Sequence, residues 1–314
     1  MFRFEKLNIN NIHLLPALFE NAFGEKREVD EILIKYGLDE IYSSYVSILA
    51  FDLKSNNLAG FYGILPAKFK YEGNDYLCGQ VCDLMTHSDY RRLGLFEAMA
   101  NEAHSFLKES GFKFIFTIPF EGAISYFGFV NKLNFKEKLM NSYSLNVNTY
   151  PLSKKLNSGF LSSIYFFYLK VIFGLLINTT SLTKFISIDS TKNYLIHERY
   201  FFKYKSLLSK INFYYESEHH QVFMKIDKDG ALSIGSLLVS NLKQFDEIIK
   251  RFKIACFFGF IRYIHFEVCN SNQLNEFLNK KNDPKNLYTI CYLNFDEAID
   301  VNKVEFNFID IDTF

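Results

Sequence analysis

The chain contains no tryptophan, only five cysteines and no surplus of charge of either sign: 35 Lys+Arg stand against 35 Asp+Glu in 314 residues. The missing basic excess argues against a dedicated nucleic-acid binder, whose electrostatic footprint is a positively charged face. Cys78, Cys82, Cys256, Cys269 and Cys291 are odd in number and irregularly spaced. That excludes a disulfide framework as the basis of the fold and leaves reduced, cytoplasmic thiols as the expectation. Cys78 and Cys82 lack a matching Cys/His pair, and His219-His220 has no partner at ligand spacing, so no metal site is expected. Met1–Lys6 offers no basic stretch leading into an apolar core, so no secretory leader is expected. What is present is ordinary for a folded globular chain, 49% hydrophobic and 22% charged. At about 150 residues per domain the length suggests two. The 36 Phe and 20 Tyr accompany abundant Asn, Lys and Ile, and read as compositional bias rather than a stacking platform.

Residues 1–150 read as one mixed α/β domain. Phe2–Leu7 is a strand candidate, and Ile12–Phe23 and Val29–Tyr36 have helical spacing of apolar residues. Tyr45–Phe51 and Leu58–Ile64, separated by Lys54-Ser55-Asn56-Asn57, read as a hairpin. Phe69–Tyr71 and Tyr76–Thr86 read as another. A helix follows from Gly94 to Glu109, with Gly111 at a favoured C-terminal position. A strand Lys113–Ile118, a helix Gly122–Lys132 and a strand Asn134–Val147 complete the run.

Residues 151–189 read as a linker carrying one apolar helix, Phe160–Ile177. Its 18 residues reach the lower limit for a membrane span. Lys170 inside it is costly at bilayer depth, and a buried or domain-bridging helix is the expectation, with contact at a membrane surface as the alternative. Residues 190–314 repeat the pattern strand–turn–strand–helix–strand–helix–strand, which suggests an internal duplication.

Chemistry concentrates in Cys82-Asp83-Leu84-Met85-Thr86-His87-Ser88-Asp89-Tyr90-Arg91-Arg92-Leu93-Gly94-Leu95-Phe96. A strand ends, a short loop with two arginines and a glycine follows, and a long helix opens. Helix N-termini present unpaired N–H groups at the positive end of the dipole, an anion-binding arrangement. Gly94 lets backbone approach a phosphate, and Arg91 and Arg92 add fork-shaped donors. A plain βα turn with a solvated arginine pair reads equally well from these residues alone.

Arg91-x-x-Gly94-x-Phe96 resembles the pyrophosphate loop of the GNAT superfamily of acyl-CoA N-acyltransferases, Arg/Gln-x-x-Gly-x-Gly/Ala. The preceding His87-Ser88-Asp89-Tyr90-Arg91-Arg92 is similar to that family's lead-in, with Ser88 for its common Pro. Phe96 stands for the final small residue, and Asn134 for the usual Gly before Phe135. The resemblance covers 1–147 and is densest over 82–135. It implies an α/β (α+β) mixed sheet: a GNAT-like N-terminal domain, with residues 190–314 a second GNAT-like domain degenerate for CoA, since it lacks the motif. It further implies that amides from Arg92 through Leu93, Gly94, Leu95 and Phe96 hold the CoA pyrophosphate. Pantetheine would pair with the backbone of Leu84, Met85 and Thr86. An acceptor amine attacks the thioester directly, which calls for a base, oxyanion stabilisation and an acid. Asp83 is the candidate base. The family's acid, a tyrosine, is replaced by Val130, and Tyr126, one turn earlier, is the candidate substitute. Glu121 is a candidate for amine recognition.

The function implied is an acetyl-CoA-dependent N-acetyltransferase of bacterial type, cytoplasmic, acting on a small-molecule amine. By family analogy the acceptor is an amino sugar of surface polysaccharide synthesis. The alternatives are a non-catalytic GNAT-like binding or assembly protein, and a membrane-surface protein acting on a lipid-linked acceptor through 160–177.

Overall fold

The computed structural model describes residues 1–36, 46–119, 124–156, 160–177, 193–196, 201, 204–205, 212–217, 220–227, 229–237, 241–269, 273–280, 283–284 and 286–310. In chain order its elements are β1 (Phe2–Lys6), α1 (Leu15–Phe23), α2 (Val29–Tyr36), β2 (Ile48–Asp52), β3 (Leu58–Tyr71), β4 (Asn74–Thr86), α3 (Leu95–Glu109), β5 (Phe114–Thr117) and α4 (Ile124–Phe127), which runs into a π-helical turn, Gly128–Lys132. Then follow β6 (Lys136–Asn146), α5 (Leu152–Leu156), α6 (Phe160–Ile177), β7 (Tyr194–Ile196), β8 (Asn212–Ser217), β9 (His220–Ile226), β10 (Leu232–Leu237), α7 (Leu242–Phe258), β11 (Tyr263–Cys269), α8 (Gln273–Asn279) and β12 (Asn286–Asn294). The chain divides into two compact units. The first is Met1–Lys138 with Asn193–Tyr204 and Ile290–Val304; the second is Leu139–Lys192 with Lys205–Thr289 and Glu305–Phe314.

In the first unit the strands run β1-β2-β3-β4-β5-β12, with β7 on the far end of β3. All neighbours are antiparallel except β4 and β5, which are parallel and joined through α3. In the second unit the order is β8-β9-β10-β11-β6, again antiparallel except for β10 and β11, joined through α7. The sequence-level repeat is therefore a repeat of topology: β3-β4-β5-β12 corresponds to β9-β10-β11-β6. In each unit the last strand comes from the other half of the sequence. β12 supplies Asn294↔Phe114 through Cys291↔Thr117 to the first unit, reinforced by Lys113 Nζ at 2.7 Å from Asp296. β6 supplies Leu145↔Ile264 and Tyr143↔Phe266 to the second.

Each unit has its own core. Ile64, Val81 and Ile115 from the sheet meet Leu95, Met99, Ala103 and Leu107 from α3 in the first. Val222, Leu232, Ile234 and Phe266 meet Phe245, Ile249 and Phe252 of α7 and Leu169 and Phe173 of α6 in the second. Phe173 stacks on Phe213 at 4.3 Å. No helix among the described residues is long and apolar enough to cross a membrane. The five cysteines are buried and form no disulfide, and no cluster of metal-binding side chains occurs among the described residues.

Two local expectations change. β3 is one strand of 14 residues rather than two short ones, and it runs through Pro66. Pairing with β2 ends at Tyr62 and pairing with β7 starts at Lys68, so Pro66 lies between the two ladders on that edge and interrupts neither. The helix expected over 122–132 is a single α-turn followed by a π-turn.

Because α6 buries only one side, its two faces should respond differently. Phe173→Ala should destabilise by about 3–5 kcal/mol, whereas exposed Phe167→Ala should stay within about 0.5 kcal/mol. Urea unfolding of both variants checks this, and equal effects would contradict the docking of α6.

Candidate functional site

The site is built where β4 parts from β5. Their parallel register holds only for Cys78↔Phe114, Gly79↔Ile115 and Gln80↔Phe116. Beyond Gln80 the pairing with β5 ends while β4 continues beside β3 to Thr86, and the other edge of Leu84–Thr86 has no strand partner among the described residues. A β-bulge lies in the same stretch: Phe61 faces Met85 and Gly63 faces Cys82, leaving Asp83 and Leu84 opposite Tyr62. Asp83 adopts φ 46, a left-handed conformation uncommon for a residue with a side chain.

The bulge turns the Asp83 carboxylate to α2. Its Oδ2 lies 2.7 Å from Lys35 Nζ and accepts a 2.8 Å hydrogen bond from Tyr36 OH. Lys35 Nζ also stands 5.5 Å from the ring centre of Tyr204. Gly63 makes room for this arrangement, because a Cβ there would collide with Tyr36 OH and the Cys82 carbonyl. Sequence reading found Asp83 but missed Lys35 and Tyr36. Their only signal is that α2 places two polar-tipped residues side by side at its end, and nothing in the sequence connects α2 with β4.

The loop after β4 carries the anion-binding geometry. Gly94 caps α3 at φ 73, ψ 10 with no side-chain acceptor. Ala98 N–H to Gly94 O, 3.1 Å, is the first helical bond, so the amides of Arg92 through Glu97 have no hydrogen bond within the chain among the described residues. Arg92 is also left-handed, φ 65, and the side chains of Arg91 and Arg92 are exposed. Nothing lies within 4 Å of a Cβ built on Gly94, so glycine is needed there for its backbone conformation. Leu95 is buried and anchors the first turn.

Three departures from the motif have structural reasons. Ser88 donates its N–H to Asn21 Oδ1 on α1 at 2.8 Å, a bond proline could not make, and Asn21 Nδ2 returns 3.2 Å to Ser88 Oγ. Phe96 fills space above Gly128, where a Cβ would meet its ring at 2.8 Å, and packs edge-on against Phe129 at 5.6 Å. Asn134 occupies φ 57, a conformation that Gly and Asn adopt most readily.

The remaining candidates are scattered. Tyr126 donates a 2.6 Å hydrogen bond to Glu137 Oε1, and Val130 packs partly buried against the core. Met85 is buried and pairs with Phe61; Leu84 and Thr86 are half-buried, and Leu93 is exposed. Glu121 and His219 lie outside the described residues. In the second unit the helix matching α3 is α7. Its N-cap Asn241 accepts from Gln244 N–H at 3.0 Å, so that N-terminus is capped by its own side chain.

Residues 3–129 match the family described as Acetyltransferase (GNAT) domain. Residues 3–129 are thus a GNAT acetyltransferase domain, and the rest of the chain is outside the match. No curated protein matches it. Among solved structures it is similar to a GCN5-related N-acetyltransferase from Kribbella flavida, at TM-score 0.60 and 11% identity, over 94% of this chain and 72% of that one. Eis1 from Mycobacterium abscessus aligns at TM-score 0.61 and 9% identity, over 94% and 74%. A putative acetyltransferase from Pyrococcus horikoshii aligns at 0.51 and 12%, over 98% and 93%. At these identities the likeness is one of fold.

Helix α3 is tied to the sheet by His104, whose Nε2 lies 3.0 Å from Tyr62 OH. Burial holds its imidazole down, at about 4 against the usual 6.5. The unfolded chain therefore binds the extra proton first. Stability is intact above pH 6.5 and falls as pH drops towards 4, by up to about 3 kcal/mol. Unfolding measured across that window should show the loss, and His104→Gln should flatten it.

Proposed function

We propose that the chain is an acetyl-CoA-dependent N-acyltransferase of the cytoplasm that takes a small-molecule amine, with an amino sugar of surface polysaccharide synthesis as the favoured acceptor. The observation that supports the reading is the row of amides from Arg92 to Phe96 with no hydrogen bond among the described residues, at an uncapped helix end beside the edge of Leu84–Thr86. The residues fit the group: a pyrophosphate takes amides and arginines, and a pantetheine amide chain takes an unpaired strand edge. Leu84, Met85 and Thr86 would hold pantetheine, and Arg91 through Phe96 the phosphates. A chain of zero net charge fits a carbohydrate acceptor better than a polyanionic one.

The acceptor nitrogen forms a bond to the thioester carbonyl carbon, the C–S bond breaks, the ammonium loses a proton and the thiolate gains one. Asp83 is proposed to accept the first proton, which requires Lys35 to yield its place on Oδ2. Tyr126 is proposed to deliver the second, and Glu121 to recognise the amine. The competing reading, a non-catalytic binding protein, draws on Val130 at the family's usual acid position and on the carboxylate of Asp83 already engaged by two partners. Action at a membrane surface on a lipid-linked acceptor draws on α6.

Calorimetric titration of acetyl-CoA into the purified chain, with Gly94→Asp alongside, tests the cofactor. Saturable binding that is lost in the variant is expected, because the substitution adds a negative charge and strains a left-handed backbone. Unchanged affinity in a folded variant would overturn the loop assignment. Arg91→Ala with Arg92→Ala should weaken CoA more than a dephosphorylated pantetheine analogue. With an amino-sugar screen for thiol release, Asp83→Asn and Tyr126→Phe should each lower turnover by roughly 100-fold or more while acetyl-CoA still binds. Binding without turnover on any acceptor in the wild type favours the non-catalytic reading.

A further inference from the structure

Helix α6 is apolar around most of its circumference, yet only one side enters the core of the second unit. Tyr165, Leu169, Phe173 and Ile177 are buried there. At 3.6 residues per turn, Leu161, Ile164, Tyr168, Val171 and Leu175 fall within an arc of about 80° on the other side. That arc is open: Leu161 is 56% exposed, Ile164 62% and Leu175 74%, and Phe167 beside it is 71% exposed.

The surface continues onto α7. Tyr168 OH donates to the Phe258 carbonyl at 2.7 Å, and Tyr165 OH donates to the Gly259 carbonyl at 2.6 Å. These bonds hold the end of α7 against α6. Ile254, Phe257, Phe258 and Phe260, at that end, are all exposed. Ser153 of α5 bonds through its N–H to the Phe260 carbonyl at 3.4 Å. This brings the exposed Lys154 and Lys155 to the rim, with Lys155 Nζ 5.3 Å from the ring centre of exposed Tyr150. Lone exposed apolar residues are normal; a contiguous set this large on one face marks an interaction surface.

Charge identifies the occupant. The whole chain is balanced, but residues 139–177 contain Lys154, Lys155 and Lys170 and no acidic residue, and residues 248–266 contain Lys250, Arg251, Lys253, Arg262 and no acidic residue. α5, α6 and the end of α7 build this face. Lys154, Lys155, Lys170, Lys250, Arg251 and Lys253 are exposed around it. We propose that the α6–α7 face is a docking surface for an anionic lipid bilayer, with the apolar arc entering the headgroup boundary and the basic rim meeting lipid phosphates. Tyr150 and Tyr168 are the amphipathic rings such a boundary favours. A second copy of the chain is the poorer occupant, because a two-fold contact through this face would set lysines against lysines.

The proposal stands apart from acyl transfer and is tested separately. The full chain is sedimented with phosphatidylcholine vesicles, with and without phosphatidylglycerol, at low and high salt. Partition into the anionic vesicles that falls with salt is expected. Ile164→Glu with Phe167→Glu should abolish it, and Lys154→Ala, Lys155→Ala and Lys253→Ala together should reduce it roughly 100-fold. Acetyl-CoA titration and thermal unfolding of the same variants should be unchanged, since none of these residues lies in the loop or the core. No partition, or equal partition into neutral vesicles, would overturn the anionic-surface assignment. So would self-association in sedimentation velocity that disappears in the Glu variants while vesicles bind nothing.

Discussion

Three residues of parallel pairing, Cys78–Gln80 on β4 against Phe114–Phe116 on β5, set the geometry of the first unit. If the ladder were longer, β5 would cover the edge of Leu84–Thr86. If it were shorter, α3 would lose the anchor that aims its N-terminus. The bulge at Asp83 is the local cause of the change of direction. Gly63 permits it by admitting Tyr36, and Lys35 compensates the carboxylate that the bulge turns inward. A buried carboxylate left unpaired there would be costly. The site's shape and its most chemically loaded side chain therefore share one origin.

The second constraint is the exchange of final strands. β5 would be an exposed edge without β12, and β11 without β6, and unpaired edges of that kind invite non-native pairing. Each unit closes its edge with a strand from the far half of the sequence, so neither half carries a complete sheet. The contacts between β5 and β12 span some of the longest sequence separations in the chain, which are entropically costly to form early in folding.

Much of this was legible in the sequence and some was not. The order strand, loop, helix, strand over 76–118 follows from apolar alternation, Gly94 and Gly111. It is found at 74–117 with both glycines left-handed. The repeat of pattern between the halves is also found, as topology. What could not be read is pairing at a distance. Periodicity tells that Tyr288–Phe295 is a strand but not that it belongs beside β5. The break expected between Ile64 and Phe69 fails because β3 runs on through Pro66 from its ladder with β2 to its ladder with β7, a continuity that long-range pairing decides. Lys35 and Tyr36 were missed for the same reason: their partner Asp83 is set by tertiary contact alone.

The two helix N-termini that the shared topology places alike differ in how they are capped. A helix end left without a side-chain cap forgoes about 1 kcal/mol. α7 recovers that through Asn241, which spends the amide of Gln244 within the chain. α3 does not: Gly94 offers no acceptor, and the loop is held instead from outside, by Asn21 on Ser88 and by Leu95 in the core. Its amides stay available because the stabilising contacts attach one turn earlier and one side chain inward. In the second unit the capped helix leaves the Gln244 amide engaged, and the helix turns its outer face to solvent. In this chain that face has become apolar and basic, a change the sheet and core beneath it do not resist.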